Sequence, residues 1–356
     1  MGKNDPPACP ITKLLPLSSK LDEVMIIETY SYPRAAVIGN PSDGYFGKTI
    51  AFLFSNFIAR VQLYETPELE VKPERLDVAL FNSMKELVDD VCFAGYYGGM
   101  RLLKATIKVF YDYCRNAGIE LDKRNFTIRY NSTIPLRLGL AGSSAIITAC
   151  FKALQKFYGI TFTPELQANL VLSVETKELG IAAGLQDRVA QAFEHPVFMD
   201  FDREHMQKYG YGKYELLDAA CLPPFYIAFR KNLSEGTEVT HNNLRARFEI
   251  GDPSVLNAVK RWGELTLEFM EAIQQKDSKR MHDLMNENFD LRRKTLSVSK
   301  GNIEMVELAR STGASAKFTG SGGAIIGTYR DETMFKELRE LLDQHEIEVI
   351  KPEIVV

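Results

Sequence analysis

The chain has 356 residues, with 43 Lys plus Arg against 47 Asp plus Glu, a net charge of −4. Apolar residues make up 45% and charged residues 25%, which excludes disorder, a collagen repeat and a disulfide scaffold as the dominant state. At about 150 residues per domain the length predicts two domains or one large one. The near-balance of charge argues against a nucleic-acid backbone binder, which needs a basic excess.

Residues 1–24 hold Pro6, Pro7 and Pro10 and lack the apolar core of a signal peptide; a loosely ordered tail is expected there. Two strands are predicted next, over Val24–Tyr30 and Ala35–Ile38, followed by the turn cluster Asn40-Pro41-Ser42-Asp43-Gly44. Ile50–Tyr64 reads as one or two strands. Val78–Cys92 and Arg101–Ala117 read as helices, the second with Leu102, Leu103, Ile107, Phe110 and Tyr111 on one face. Asn125–Tyr130 alternates as a strand.

The run Pro135–Ala145 reads as strand, glycine loop and helix start, with the helix continuing to Tyr158. Thr163-Pro164-Glu165 combines a capping residue with an N1 proline and begins a helix that should reach about Leu179. A loop through Gly180 and Gly184 leads to Gln186-Asp187-Arg188, and Pro196–Phe201 is a strand. The best candidate boundary is Arg203–Glu215, which divides the chain into an N-terminal domain over 25–208 and a C-terminal domain over 209–356. Beyond it come a strand over Pro224–Phe229, a helical hairpin over Ser254–Gln275 and Ser278–Leu296, and a helix over Asn302–Arg310. A second glycine loop over Thr319–Ala324, a strand to Tyr329, a helix over Glu332–Gln344 and a strand over Ile347–Ile350 complete an α+β order.

The five cysteines, Cys9, Cys92, Cys114, Cys150 and Cys221, are scattered and form no CxxC pair, so neither a zinc ribbon nor a disulfide framework is expected. Several lie in apolar runs, which fits a reducing, cytoplasmic setting. No run of about 20 apolar residues exists to span a membrane. The five histidines show no metal-ligand spacing. The run Arg292-Arg293-Lys294 reads as a solvated helix face, and Trp262, Leu265, Phe269 and Met270 as core.

The first glycine loop is the strongest chemical signal. Gly139 and Gly142 permit close approach of a ligand, and Ser143 and Ser144 stand where a helix opens, with free N–H groups and the positive end of its dipole. The loop lacks the Gly-Lys-Ser/Thr of a P-loop and the GxGxxG of a dinucleotide site. The second loop, Lys317–Gly323, adds a cation and three glycines, so the pair suggests a shared polyphosphate. Phosphoryl transfer also needs one carboxylate for the acceptor hydroxyl and another for Mg²⁺. Asp187, placed in a loop, and Glu175, on the preceding helix, are the candidates, with Glu178 competing with Glu175.

Taken together, Arg34–Asp43, the Pro135–Ala145 loop and Lys317–Gly323 resemble the three motifs of the GHMP small-molecule kinases, in order and spacing, over about residues 30–350. Within that superfamily the chain resembles the plant-type glucuronokinases, through Gly39–Asp43, Gly95–Leu103, Gly184–Ala190, Asn302–Ala309 and Lys317–Ala324. The inserted Ala141 lengthens the second motif by one residue, as in the glucuronokinase, fucose and heptose kinase branch. Asn40-Pro41 stands where galactokinases have Glu-His, which argues against galactose.

The resemblance implies a two-domain α+β fold with the site in the cleft between domains, and soluble small-molecule partners, ATP and a sugar acid. It implies that Pro135, Gly139, Leu140, Ala141, Gly142, Ser143, Ser144 and Ala145 surround the ATP phosphates, with Ser144 and Glu175 on Mg²⁺. The extra loop residue leaves Ser143 as the alternative ligand. Asp187 would be the base or orienter for the hydroxyl, with Arg34 beside it. Asp43 and Tyr45 would bind sugar hydroxyls, and Gly320, Gly322 and Gly323 would approach phosphates and substrate. A sugar carboxylate calls for an Arg fork; Arg101 is preferred and Arg188 is the alternative. The implied reaction makes glucuronate 1-phosphate, which would feed UDP-glucuronate synthesis. Other sugar kinases of the superfamily (for galacturonate, fucose or a heptose) and a non-catalytic sugar and ATP sensor are the alternatives.

Overall fold

The computed structural model describes residues 26–73, 98–230 and 241–356. The expected N-terminal tail and the helix expected over 78–92 lie outside the described residues. Three four-stranded sheets organise the rest. The first contains β1 (Ile27–Ser31), β4 (Ala59–Thr66), β5 (Glu70–Val71) and β6 (Asn125–Ser132), in the order β1-β4-β6-β5. The second contains β2 (Arg34–Ile38), β3 (Lys48–Leu53), β7 (Val197–Asp200) and β8 (Lys213–Leu216), in chain order. The third contains β9 (Phe225–Arg230), β10 (Lys317–Phe318), β11 (Ala324–Thr328) and β12 (Ile347–Ile350), in the order β10-β11-β9-β12.

Helices α1 (Gly99–Asn116), α2 (Gly142–Tyr158), α3 (Pro164–Ser173) and α4 (Gln186–Phe193) gather around the first two sheets. The apolar run of α2 is buried on almost every side, because α1, α3, α4, β1 and β4 all pack against it. Its C-terminus ends on Gly159 in the left-handed region, the usual way to stop a helix. Thr163 caps α3 by accepting the Leu166 N–H, with Pro164 at N1. Helix α3 passes into one wide π-type turn, Val174–Glu178, before the chain reaches α4.

After α5 (Arg203–Tyr209), β8, β9 and α6 (His241–Glu249), the hairpin of α7 (Pro253–Gln275) and α8 (Ser278–Thr295) follows. It bridges two sheets: α7 lies on β2 and β3, and α8 on β2, β10 and β11. Trp262, Leu265 and Phe269 of α7 therefore share one apolar core with Val37, Ile38 and Ile50. Helices α9 (Lys300–Ser311) and α10 (Glu332–Asp343) build a second cluster with Phe289, Phe318 and Ile325. Among the described residues no helix is long and apolar enough to cross a membrane, and Cys114 and Cys150 are buried free thiols.

Several sequence expectations need correction. Pro135–Leu138 forms turns, not a strand; the strand preceding the loop is β6, which ends at Ser132. Asp187 lies in the first turn of α4 rather than in a loop, where the helix dipole favours its negative charge. Tyr111 is exposed: the buried face of α1 follows Leu102, Leu103, Thr106, Phe110 and Cys114, and the next residue after Phe110 turns about 100° away from it. Arg203–Glu215 contains a helix and most of β8. Because Leu216 pairs with Val197 and Lys213 with Asp200, a division at 208/209 leaves β8 on the far side of its own sheet.

Candidate active site

Strand β2 is an edge of its sheet, so its outward N–H and C=O groups need partners. Both glycine loops supply them. Arg34 N–H donates to the Leu140 carbonyl at 3.0 Å and Ala36 N–H to the Thr319 carbonyl at 2.9 Å. One short strand thus seats two loops that are far apart in sequence. Where they meet there is no room for side chains. A Cβ on Gly320 would stand 2.3 Å from the Gly139 carbonyl oxygen, and one on Gly139, at φ +64°, 2.9 Å from the Ser321 nitrogen.

The first loop turns into α2 at Ala141, which holds φ 62° without being glycine. Its carbonyl accepts from the Ala145 N–H at 3.1 Å, the Ser144 hydroxyl at 3.1 Å and Gln191 Nε2 at 3.0 Å. That triple tie holds the strained residue where α2 opens, with the backbone of Gly142, Ser143 and Ser144 in its first turn, at the positive end of the helix.

The second loop is held from behind by cations. Lys317 Nζ donates to the carbonyls of Ala36 at 2.7 Å and Phe318 at 2.8 Å. Arg34 Nη1 donates to Thr319 O. Arg292 reaches Gly320 O at 2.8 Å and Ser321 O at 3.2 Å, its guanidinium 4.9 Å from the Phe318 ring centre. Four successive carbonyls, 318 to 321, are drawn toward buried positive groups. Arg292 was expected on a solvated face and is instead buried. Lys317, read as the cation that the second loop adds, is buried and holds the backbone carbonyls of Ala36 and Phe318. Burial, with Arg292 and Arg34 nearby, pushes the Lys317 pKa well down. Burial likewise lowers that of Arg292 to about 10.

The acidic groups converge from the opposite wall. Asp187 Oδ1 accepts from Arg34 Nε at 2.7 Å and Nη2 at 2.6 Å, while Oδ2 accepts from Arg188 Nη1 at 3.0 Å. Burial works to raise the Asp187 pKa, but the two guanidinium charges outweigh it and hold the carboxylate below its ordinary range. The wide turn after α3 brings Glu175 inward, where Arg188 Nε donates to it at 2.6 Å and Nη2 also bonds it. Burial raises the Glu175 pKa in spite of that partner. Glu178 instead meets Lys108 at the surface, at 2.8 Å. Asp43, in the short turn Ser42–Tyr45, has its pKa raised to about 6, first by burial and then by the charge of Asp187.

These groups enclose a cavity of about 660 Å³. Of the residues expected at the phosphates, Pro135, Gly139, Leu140, Ala141, Gly142, Ser143 and Ser144 line it; Ala145 does not, being buried inside α2. Arg34, Asp43, Tyr45, Glu175, Asp187, Arg188 and Gly320 line it as well. Gly322 and Gly323 do not: the Gly323 N–H is tied to Asn302 Oδ1 at 3.0 Å, behind the loop. Arg101 also lies off the lining, half-buried on α1, although Gly98 and Gly99 reach it. Residues 95–97, expected beside Arg101 as a sugar-binding surface, lie outside the described residues. Arg188 is committed to Glu175 and Asp187. Sequence reasoning missed Ser321, Arg137, Arg245 and Gln186 on the wall, and Arg292 behind it. Arg292 carried a usable signal: Met281, Met285, Asn288, Phe289 and Arg292 repeat at helical spacing on one buried face.

The chain also resembles known proteins. The family model of the GHMP kinases N terminal domain matches residues 101–195, and that of the GHMP kinases C terminal matches residues 269–345. The chain is 44% identical over 308 residues to probable glucuronokinase 2 of Arabidopsis thaliana, covering 85% of this chain and 84% of that protein. It is 44% identical over 306 residues to glucuronokinase 1 of the same plant, covering 84% of each. Among solved structures, the mevalonate kinase of Methanococcus jannaschii superposes with a TM-score of 0.67 at 20% identity, covering 94% of this chain and 99% of that one. The galactokinase of Lactococcus lactis complexed with galactose does so with 0.70 at 16%, covering 93% and 94%. With the paired glycine loops seated on β2 and the acid cluster opposite them, the chain belongs to the GHMP kinase family.

Proposed function

We propose that this protein is an ATP-dependent sugar 1-kinase that phosphorylates the anomeric hydroxyl of D-glucuronate, giving glucuronate 1-phosphate. The observation that carries the chemistry is Asp187, ionised between Arg34 and Arg188 on the wall of the cavity that the two glycine loops close. The choice of sugar rests on the 44% identity to two glucuronokinases over most of both chains.

In this reading the ATP phosphates lie across the N–H groups of Gly142, Ser143 and Ser144 and the positive end of α2. The buried charge of Arg292, which holds no carboxylate among the described residues, biases the second loop toward the same polyanion. Asp187 accepts a hydrogen bond from the sugar hydroxyl and aligns it. Its depressed pKa makes it a weak proton acceptor before transfer, which suits a loose transition state in which the nucleophile contributes little bonding. Arg34 keeps that carboxylate in place, so catalysis is mostly positioning and charge stabilisation. Asp43 accepts from a further sugar hydroxyl.

Mg²⁺ fits this site as a metal held largely by the phosphates. Among the described residues no group of three or more His, Cys, Asp or Glu is arranged to hold a metal. Ser144 and Glu175 nonetheless offer hard oxygen donors on the cavity wall, and Mg²⁺ needs few protein ligands when phosphates supply the rest. When bound it would neutralise phosphate charge, with Ser144 and Glu175 the residues that hold it.

The test is ADP release with ATP and a panel of glucuronate, galacturonate, glucose, fucose and a heptose. Glucuronate should give the highest kcat/KM. Turnover greatest on a neutral sugar removes the uronate reading, and no turnover on any sugar removes the kinase reading.

A further inference from the structure

The proposed substrate differs from a neutral hexose by a carboxylate on C5, across the ring oxygen from the anomeric carbon that bears the reacting hydroxyl. A residue that reads this group must line the cavity, carry positive charge, lie toward the sugar and not already hold a carboxylate of the protein. Four arginines line the cavity: Arg34, Arg137, Arg188 and Arg245. Arg34 and Arg188 are committed to Asp187 and Glu175. Arg137 belongs to the first glycine loop, the nucleotide side of the cleft.

Arg245 stands differently. It lies on α6, exposed, and makes no ion pair among the described residues. Burial raises the Tyr45 pKa while the nearby Arg245 charge works against it, and Tyr45 is the second residue after Asp43 in the same turn. Phe248, one helical turn beyond Arg245, packs its ring 5.0 Å from that of Tyr45, so α6 is docked on the sugar-binding turn. Asp187 and Asp43 sense each other's charge, and Asp43 and Tyr45 do likewise. Asp187, Asp43, Tyr45 and Arg245 thus line one cavity, so the acid assigned to the reacting hydroxyl and this guanidinium face the same space.

We infer that Arg245, with the Tyr45 hydroxyl beside it, binds the substrate carboxylate and sets the preference for a sugar acid over a neutral sugar. The inference rests on the uronate reading above. An Arg fork takes a carboxylate through two parallel hydrogen bonds, and a site built around a polar partner discriminates strongly against the analogue that lacks it.

The experiment is steady-state kinetics with glucuronate and glucose on the full chain, as wild type, Arg245→Gln, Arg245→Lys and Arg137→Gln. In Arg245→Gln the ratio of kcat/KM for glucuronate over glucose should fall about 100-fold, mainly through KM for glucuronate, with KM for ATP little moved. Arg245→Lys should recover part of the ratio, since charge remains without the fork. Arg137→Gln should act on KM for ATP instead. A ratio unchanged in Arg245→Gln, or lost in Arg137→Gln, overturns the assignment to Arg245. A wild-type enzyme that uses glucose as well as glucuronate overturns the uronate reading itself, whatever Arg245 does.

Discussion

Arg34 binds Asp187 through Nε at 2.7 Å and Nη2 at 2.6 Å, and the same guanidinium donates Nη1 to the Thr319 carbonyl. One side chain therefore fixes the proposed catalytic acid relative to the second glycine loop, from residues 153 and 285 positions away in sequence. Asp187→Asn should lower kcat by roughly 10²–10⁴-fold, the range for loss of a positioned acid–base group, with KM for ATP nearly unchanged. Arg34→Met should lose a similar factor because it frees both Asp187 and the loop. Rapid-quench single turnovers on the two variants check this; activity within a few-fold of wild type in Asp187→Asn removes it from the mechanism.

Arg292→Met separates the support of the second loop from the stability of the fold. The substitution deletes two hydrogen bonds to carbonyls, but it also removes a buried cation that has no carboxylate partner among the described residues. These effects are of similar size and opposite sign, since hydrogen bonds to a charge contribute about 1.5–3 kcal/mol and an unpaired buried charge costs several. Activity should drop about tenfold or more while Tm changes little. Thermal melts beside initial rates test this, and a large Tm loss with full activity in the remaining folded enzyme contradicts it.

Asp43 gives a pH signature. Its pKa of about 6 lies above the usual carboxylate range, so the charged form needed to accept a sugar hydroxyl is lost as pH falls through 6. kcat/KM for the sugar should decline below about pH 6, and this limb should vanish in Asp43→Asn. The stability effect has the opposite sense. Between the ordinary pKa and 6 the folded protein binds more protons than the unfolded chain, so this group weakens the fold as pH rises through that window. Asp43→Asn should then raise Tm at pH 7.5 but not at pH 4, while lowering activity. Melts at the two pH values decide it; a lower Tm at pH 7.5 contradicts the assigned cause.

Ser144→Ala and Glu175→Gln should each raise the Mg²⁺ concentration for half-maximal rate, as expected for hard-oxygen ligands. Mg²⁺ titration of initial rates provides the readout. A metal defect in Ser143→Ala but not in Ser144→Ala assigns the ligand to Ser143, and full activity in excess EDTA removes both roles.

Much of this site was legible because its signals are local. Gly139, Gly142, Ser143 and Ser144 announce a helix N-terminus in a glycine loop, and Thr163-Pro164 announces a cap; such features need only a few neighbours. Asp187 and Glu175 were recognisable as acids near that loop, but their pairing through Arg188 depends on a wide turn that no short window encodes. Arg292 was misjudged because a charged residue reads as solvated until tertiary packing supplies carbonyls around it. Arg101 was favoured for its glycine and tyrosine neighbours, yet the cavity takes Gly98 and Gly99 from that segment and not Arg101. Strand β8 went unseen because Lys213–Leu216 is mostly exposed and carries little alternation; its pairing with β7 defines it.

The measurement that bears most directly on the central claim is the position of the transferred phosphate. Purified enzyme, ATP, Mg²⁺ and D-glucuronate should yield a single phosphate ester at C1, seen by phosphorus NMR as coupling to the anomeric proton, with loss of the reducing end. Asp187→Asn should yield almost none in the same time. A phosphate on another hydroxyl, or a product that keeps its reducing end, would contradict the account.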